Sequence, residues 1–237
     1  MNGFGELSSN FLREHLRAPL TLALLVIIPV FFVVIFASVL GDFAQALGGD
    51  LARQAATAIS AGWAAAFLSG TLAFFQVNSA RGADRRLAFA GLGTWRVAGG
   101  RILASLALGA IVSAVAFVTL WIRSGIEHPW HAAVAILAFA AIYIGIGAVV
   151  GALVRDSLEG SLVVVLVFAV DVFSGPAMTS GGGLTDLTPT RDAAELLIAA
   201  GAGQASPGSD WIAVAAVAAG ALLIATCAFW YSARSRL

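Results

Sequence analysis

Six apolar stretches, each about as long as a bilayer is thick, constrain this chain more than any other feature. A helix rises 1.5 Å per residue, so about 20 apolar residues cross a hydrocarbon core of about 30 Å. Residues 18–40, 55–77, 102–122, 131–154, 161–178 and 211–231 meet that length. In lipid every backbone N–H and C=O needs an internal partner, which leaves helices or a closed barrel. Barrel strands alternate apolar and polar residues over about ten positions, and a block such as 162–170 does not. The expected fold is therefore all-α and polytopic. Residues 1–17 form an interfacial segment, and 18–237 form a six-helix transmembrane domain with polar connections at 78–101 and 179–210.

Composition narrows the chemistry. Of 237 residues, 60% are hydrophobic and 11% charged, against about 25% charged in soluble domains. The formal net charge is zero, so a nucleic-acid-binding role, which shows a basic excess, is not expected. All 13 cations are arginines. Without lysine there is no phosphate-loop lysine, no Schiff base and no Ser-x-x-Lys pair; the chain is not expected to hydrolyse ATP or to act as an enzyme by itself. Cys227 is the one cysteine and there are three histidines, which rules out a Cys/His zinc cluster. His128-Pro129-Trp130-His131 reads as an interfacial anchor for the fourth span rather than a metal pair. Ser69, Thr71 and Thr119 lack a membrane-embedded His or Asp partner at matched depth, so a membrane protease is not expected either.

The arginines give the orientation. Arg13, Arg17, Arg81, Arg85, Arg86, Arg96, Arg101, Arg155, Arg234 and Arg236 fall on one side, and only Arg53, Arg123 and Arg191 on the other. Positive loops stay inside, so both termini are expected in the cytoplasm of a multi-pass protein of the cytoplasmic membrane. Ala44-Gln45-Ala46 resembles a cleavage site, but the apolar run before it exceeds the roughly 7–15 residues of a signal core. The first span is read as retained.

The polar connections carry most of the functional signal. Phe4, Leu7, Phe11 and Leu12 recur at helical spacing, with Glu6, Asn10, Arg13, Glu14 and Arg17 on the other face, the pattern of an interfacial helix. In the second connection, residues 83–91 read as one or two helical turns closed by Gly91. Its five arginines against one aspartate hold it on the cytoplasmic surface, where it either docks a soluble partner or simply fixes topology. The fourth connection, 155–160, is a second partner contact or an ordinary turn. In the fifth, residues 190–200 form an amphipathic helix ended by Gly201 and Gly203.

In order, these features resemble the permease subunit of type-2 ATP-binding-cassette exporters. The residues carrying the likeness are Asp84-Arg85-Arg86-Leu87 with Gly91, and Gly100-Arg101 opening the third span. Gly151-Ala152-Leu153-Val154-Arg155 and Ser174-Gly175-Pro176 close the fourth and fifth. The likeness covers nearly the whole chain, as layout more than as a sharp motif. It implies an N-terminal interfacial helix, a coupling helix between spans two and three, and short outer helices between spans five and six. It also implies a separate ATPase subunit that holds ATP and Mg and touches Asp84, Arg85, Arg86, Leu87, Phe89, Arg155 and Glu159. No cofactor is expected on this chain. A second permease chain, identical or not, would complete the path for a drug-like, antibiotic or lipidic substrate.

Asp171 is the one acid well inside a predicted span. A carboxylate at the bilayer centre costs about 2.5–3.5 kcal/mol on insertion scales, so it faces protein or water. It either lines the export path, where it meets a cationic substrate, or bonds another helix near Arg123. A proton-coupled secondary carrier using Asp171 is the alternative function; such carriers show paired repeats with broken helices, and only span five is interrupted here. The small-residue rows Gly62, Ala66, Gly70 and Gly147, Gly151, and Ala216 with Gly220, are expected to let helices of one chain approach closely. Phe31-Phe32 and Phe74-Phe75 either line an apolar substrate cavity or face lipid, with lipid the default.

Overall fold

Small side chains decide which spans meet. The computed structural model describes residues 11, 19–46, 53–87, 90–91, 93–176, 178, 188–204 and 208–234. Helix α1 (Pro19–Phe31) passes through a π-turn (Phe32–Phe36) into α2 (Ala37–Ala46). There follow α3 (Arg53–Leu87), α4 (Thr94–Ser124), α5 (Pro129–Leu153), α6 (Ser157–Ser174), α7 (Arg191–Gly201) and α8 (Gly208–Arg234). Among the described residues there is no strand, and six helices are long and apolar enough to cross a membrane. The protein is an all-helical polytopic membrane protein. The interfacial helix expected at 1–17 lies outside the described residues except for Phe11, which is helical and buried.

Helices α3 and α5 form the centre. A Cβ at Gly147 would strike the Gly70 carbonyl, and one at Gly62 would lie 2.7 Å from Phe139 and Leu197, so only glycine permits this approach. Ala58, Ile59, Ala65, Ala66, Ala135, Ile136, Phe139 and Ile142 fill the core around that contact. The expected pairing through Ala216 and Gly220 is not made. Ala216 is exposed and Gly220 borders open space, while α5 meets α8 through Gly145 on Ala221, 2.7 Å from a Cβ built there.

Two helix ends differ from the sequence reading. The polar connection at 78–101 was expected to begin after Val77, yet α3 continues unbroken to Leu87. Residues 78–87 contain no proline, and alanine, arginine and leucine favour helix; polarity marks where the membrane stops, not where the helix does. The fifth span was expected to reach Met178 but ends at Ser174, because Pro176 lacks an N–H and disfavours a helical residue before it. Gly175 is accordingly extended, with ψ 166°. Helix α7 folds inward, burying Ala193, Ala194, Leu196, Leu197 and Ala200 against α3 and α5.

The paired phenylalanines split. Phe31 and Phe75 are exposed, as expected for lipid-facing rings. Phe32 instead stacks on Phe67 at 5.9 Å and meets Phe168 at 6.4 Å, and Phe74 is fully buried against Gly160. The π-turn carrying Phe32 follows Pro29, whose missing N–H breaks the helical ladder.

Candidate functional site

The arginine-rich end of the bundle is held by two clamps on the extension of α3. Arg101, in α4, pairs with Asp84, in α3: Nη2 donates to Oδ1 at 2.9 Å and Nε lies 3.2 Å from both carboxylate oxygens. Both residues are 4% exposed, and the Phe11 ring covers the guanidinium at 3.9 Å, a cation–π contact. Planar guanidinium suits this forked geometry, and burial makes either partner costly without the other. The second clamp is Arg81. Its Nε donates to the Gly151 carbonyl at 3.0 Å, and its Nη2 donates to the Gly151 and Val154 carbonyls. Asn78 adds a bond to Val154 at 3.3 Å. These donors satisfy carbonyls that the end of α5 would otherwise leave open.

The expected partner-contact residues separate into three groups. Arg86, Arg155 and Glu159 are exposed, as an interaction surface requires. Asp84 is not: it turns inward to Arg101, and once buried each charge depends on the other as its partner. Leu87 likewise packs onto the cluster of Val77, Val97, Ala148 and Phe229. Phe89 and the Arg85 side chain lie outside the described residues. Asp156 caps α6, accepting from the Leu158 and Glu159 N–H groups at 2.8 and 3.0 Å, so 157–160 is the first turn of α6.

Asp171 occupies the opposite half of the bundle. Its Oδ2 accepts from Tyr143 Oη at 2.8 Å and from Thr190 Oγ1 at 2.7 Å, which ties α6 to α5 and to the start of α7. The expected partner Arg123 is exposed in the last turn of α4; the hydroxyls take its place. Thr190 stands at the N-cap of α7, yet makes no side-chain capping bond, since its hydroxyl goes to Asp171. Sequence marks Thr190 only as a helix start and does not mark Tyr143, because nothing local encodes their pairing with Asp171. Also unforeseen is a polar seam between α3 and α4, where Ser105 donates to Gln76 at 2.5 Å.

The described residues thus form a bundle of apolar spans, with charged clamps at one end and a carboxylate held by neutral donors within. The chain belongs to the ABC-2 type transporter family, whose sequence profile matches residues 4–182. It is thus a permease subunit of an ATP-binding-cassette transporter. No curated protein matches the chain. The matched region includes both clamps and Asp171 and ends before α7.

Proposed function

We propose that this permease exports a drug-like, antibiotic or lipidic substrate, driven by a separate ATPase subunit that binds ATP and Mg and engages the arginine-rich end of α3. The observation that carries this reading is the unbroken helix Arg53–Leu87, 35 residues long. At 1.5 Å per residue it extends about 50 Å, beyond a hydrocarbon core of about 30 Å. A push on its end moves the rod as a whole, because helices are stiff along their axis. The Asp84–Arg101 pair transmits that displacement to α4, and Arg81 with Asn78 transmits it to α5. Eight residues further into α5, about 12 Å along the axis, Tyr143 holds Asp171. One continuous set of contacts therefore joins the surface bearing Arg86 to the interior carboxylate.

In this reading the arginine-rich end and both termini are cytoplasmic, following the arginine asymmetry. The apolar faces of α1, α6 and α8, with Leu20, Ile27, Leu162, Leu166, Ile212 and Leu223 all exposed, meet lipid and a second permease chain, either a copy or a homologue. The test is affinity purification of the tagged chain co-expressed with its ATPase. The ATPase is expected to co-purify with the wild type and to be lost from the Arg85→Glu, Arg86→Glu double variant. A chain that purifies alone and moves solute in liposomes under a pH gradient, with Asp171→Asn abolishing transport, makes it a secondary carrier instead.

A further inference from the structure

A carboxylate inside a membrane bundle needs its lone pairs occupied, because little water is available there. Asp171 is half provided for. Its Oδ2 takes two hydroxyl donors, from Tyr143 and Thr190. Its Oδ1 is buried and has no hydrogen-bond partner among the described residues. Residues 175–190, which follow α6 in the sequence, contain no arginine, lysine or histidine, and Arg191 bonds Glu195 at 2.9 Å. Among the described residues the partners of Asp171 are neutral donors, not a cation.

Asp171 also contributes to the wall of a pocket of about 360 Å³. Leu166, Val167 and Val170 of α6 form one side, and Thr188 and Pro189 before α7 form the other. Leu166 and Val170 are 64% and 52% exposed, so the pocket borders the outward face of α6. The walls offer hydrocarbon contacts, and the one formal charge is negative. We propose that this pocket binds a protonated amine joined to an apolar body, the ammonium N–H donating to Asp171 Oδ1 and the body lying along Leu166, Val167 and Val170. The proposal rests on the export reading and narrows its substrate to that class. A quaternary ammonium has no N–H to give Oδ1, and a neutral alcohol leaves the charge unbalanced; a primary or secondary amine supplies both. The amine belongs either to an aminolipid headgroup or to a free amphipathic amine.

The test uses the full chain in phosphatidylcholine nanodiscs with dansylcadaverine, which couples one free amine to an aromatic body, and its uncharged N-acetyl derivative. Saturable binding of dansylcadaverine above empty discs is expected, with the acetylated probe much weaker. Asp171→Asn is expected to weaken the amine by at least about tenfold, the scale of removing one partner of a buried charge pair. Val170→Trp, which fills the pocket without altering the carboxylate, is expected to do the same at an unchanged unfolding temperature. Adding phosphatidylethanolamine to the discs separates the sources: competition identifies the aminolipid, and unchanged binding identifies a free amine, both upholding the amine site. The proposal is overturned if the acetylated probe binds as well as the amine, or if both variants bind like the wild type. Binding needs no ATPase, so its failure leaves co-purification intact, and loss of co-purification leaves binding intact.

Discussion

Asp84 and Asp171 are almost equally buried, at 4% and 1% exposure, yet one faces an arginine and the other neutral donors. At the arginine-rich end the carboxylate, the guanidinium and the Phe11 ring complete one another, and nothing is left for a ligand to add. In the opposite half, Tyr143 and Thr190 bond one oxygen, and the second has no side-chain hydrogen-bond partner among the described residues. A closed ion pair transmits force between helices, because separating it exposes two charges. An open carboxylate is a place where binding energy is still available. In the function proposed here, the closed pair serves mechanical coupling and the open carboxylate serves recognition.

The largest expected effect comes from opening the closed pair. Asp84→Asn leaves Arg101 buried and unpaired, and thermal unfolding in detergent should show a loss of about 3–5 kcal/mol. Gly147→Val drives a side chain into the Gly70 carbonyl, and the same assay should show a loss of about 1–3 kcal/mol from overpacking, with wider separation of α3 and α5. Tyr143→Phe removes one donor from Asp171 while keeping the ring among its neighbours. A loss of about 1–2 kcal/mol is expected, less than for Asp84→Asn; an equal or greater loss would place the structural burden on Asp171 and erase the contrast. Smallest is Arg191→Ala. Its ion pair with Glu195 spans one exposed helical turn, and chemical denaturation should register no more than about 0.5 kcal/mol.

Much of the architecture is legible in the sequence because lipid leaves a chain few options. Six apolar blocks of sufficient length have to be helices, and the segment from Thr190 to Ala200 announces α7 by its pattern. The register between distant helices is harder to read. Asp171 meets Tyr143 across 28 positions and Thr190 across 19, and no local periodicity encodes either pairing. Asp84 shows the same difficulty from the other direction. Its place in an arginine-rich stretch suggests a surface residue, whereas Arg101, already conspicuous at the opening of a span, draws it inward. The extension of α3 to Leu87 was hidden because hydropathy reports the membrane boundary and is silent about helix ends. The split within Phe31-Phe32 and Phe74-Phe75 reflects helical geometry: neighbours sit about 100° apart on a helix, so one of a pair can turn inward while the other stays outside.

Both assignments depend on which side of the membrane each end occupies. In a Cys227→Ser background, single cysteines replace Gly82 on the α3 extension and Gln204 after α7, both exposed, and intact cells are treated with a membrane-impermeant thiol reagent. Gln204→Cys is expected to label from outside and Gly82→Cys only after permeabilisation. Labelling of Gly82→Cys in intact cells, with Gln204→Cys protected, would put the arginine-bearing end outside and contradict coupling to a cytoplasmic ATPase.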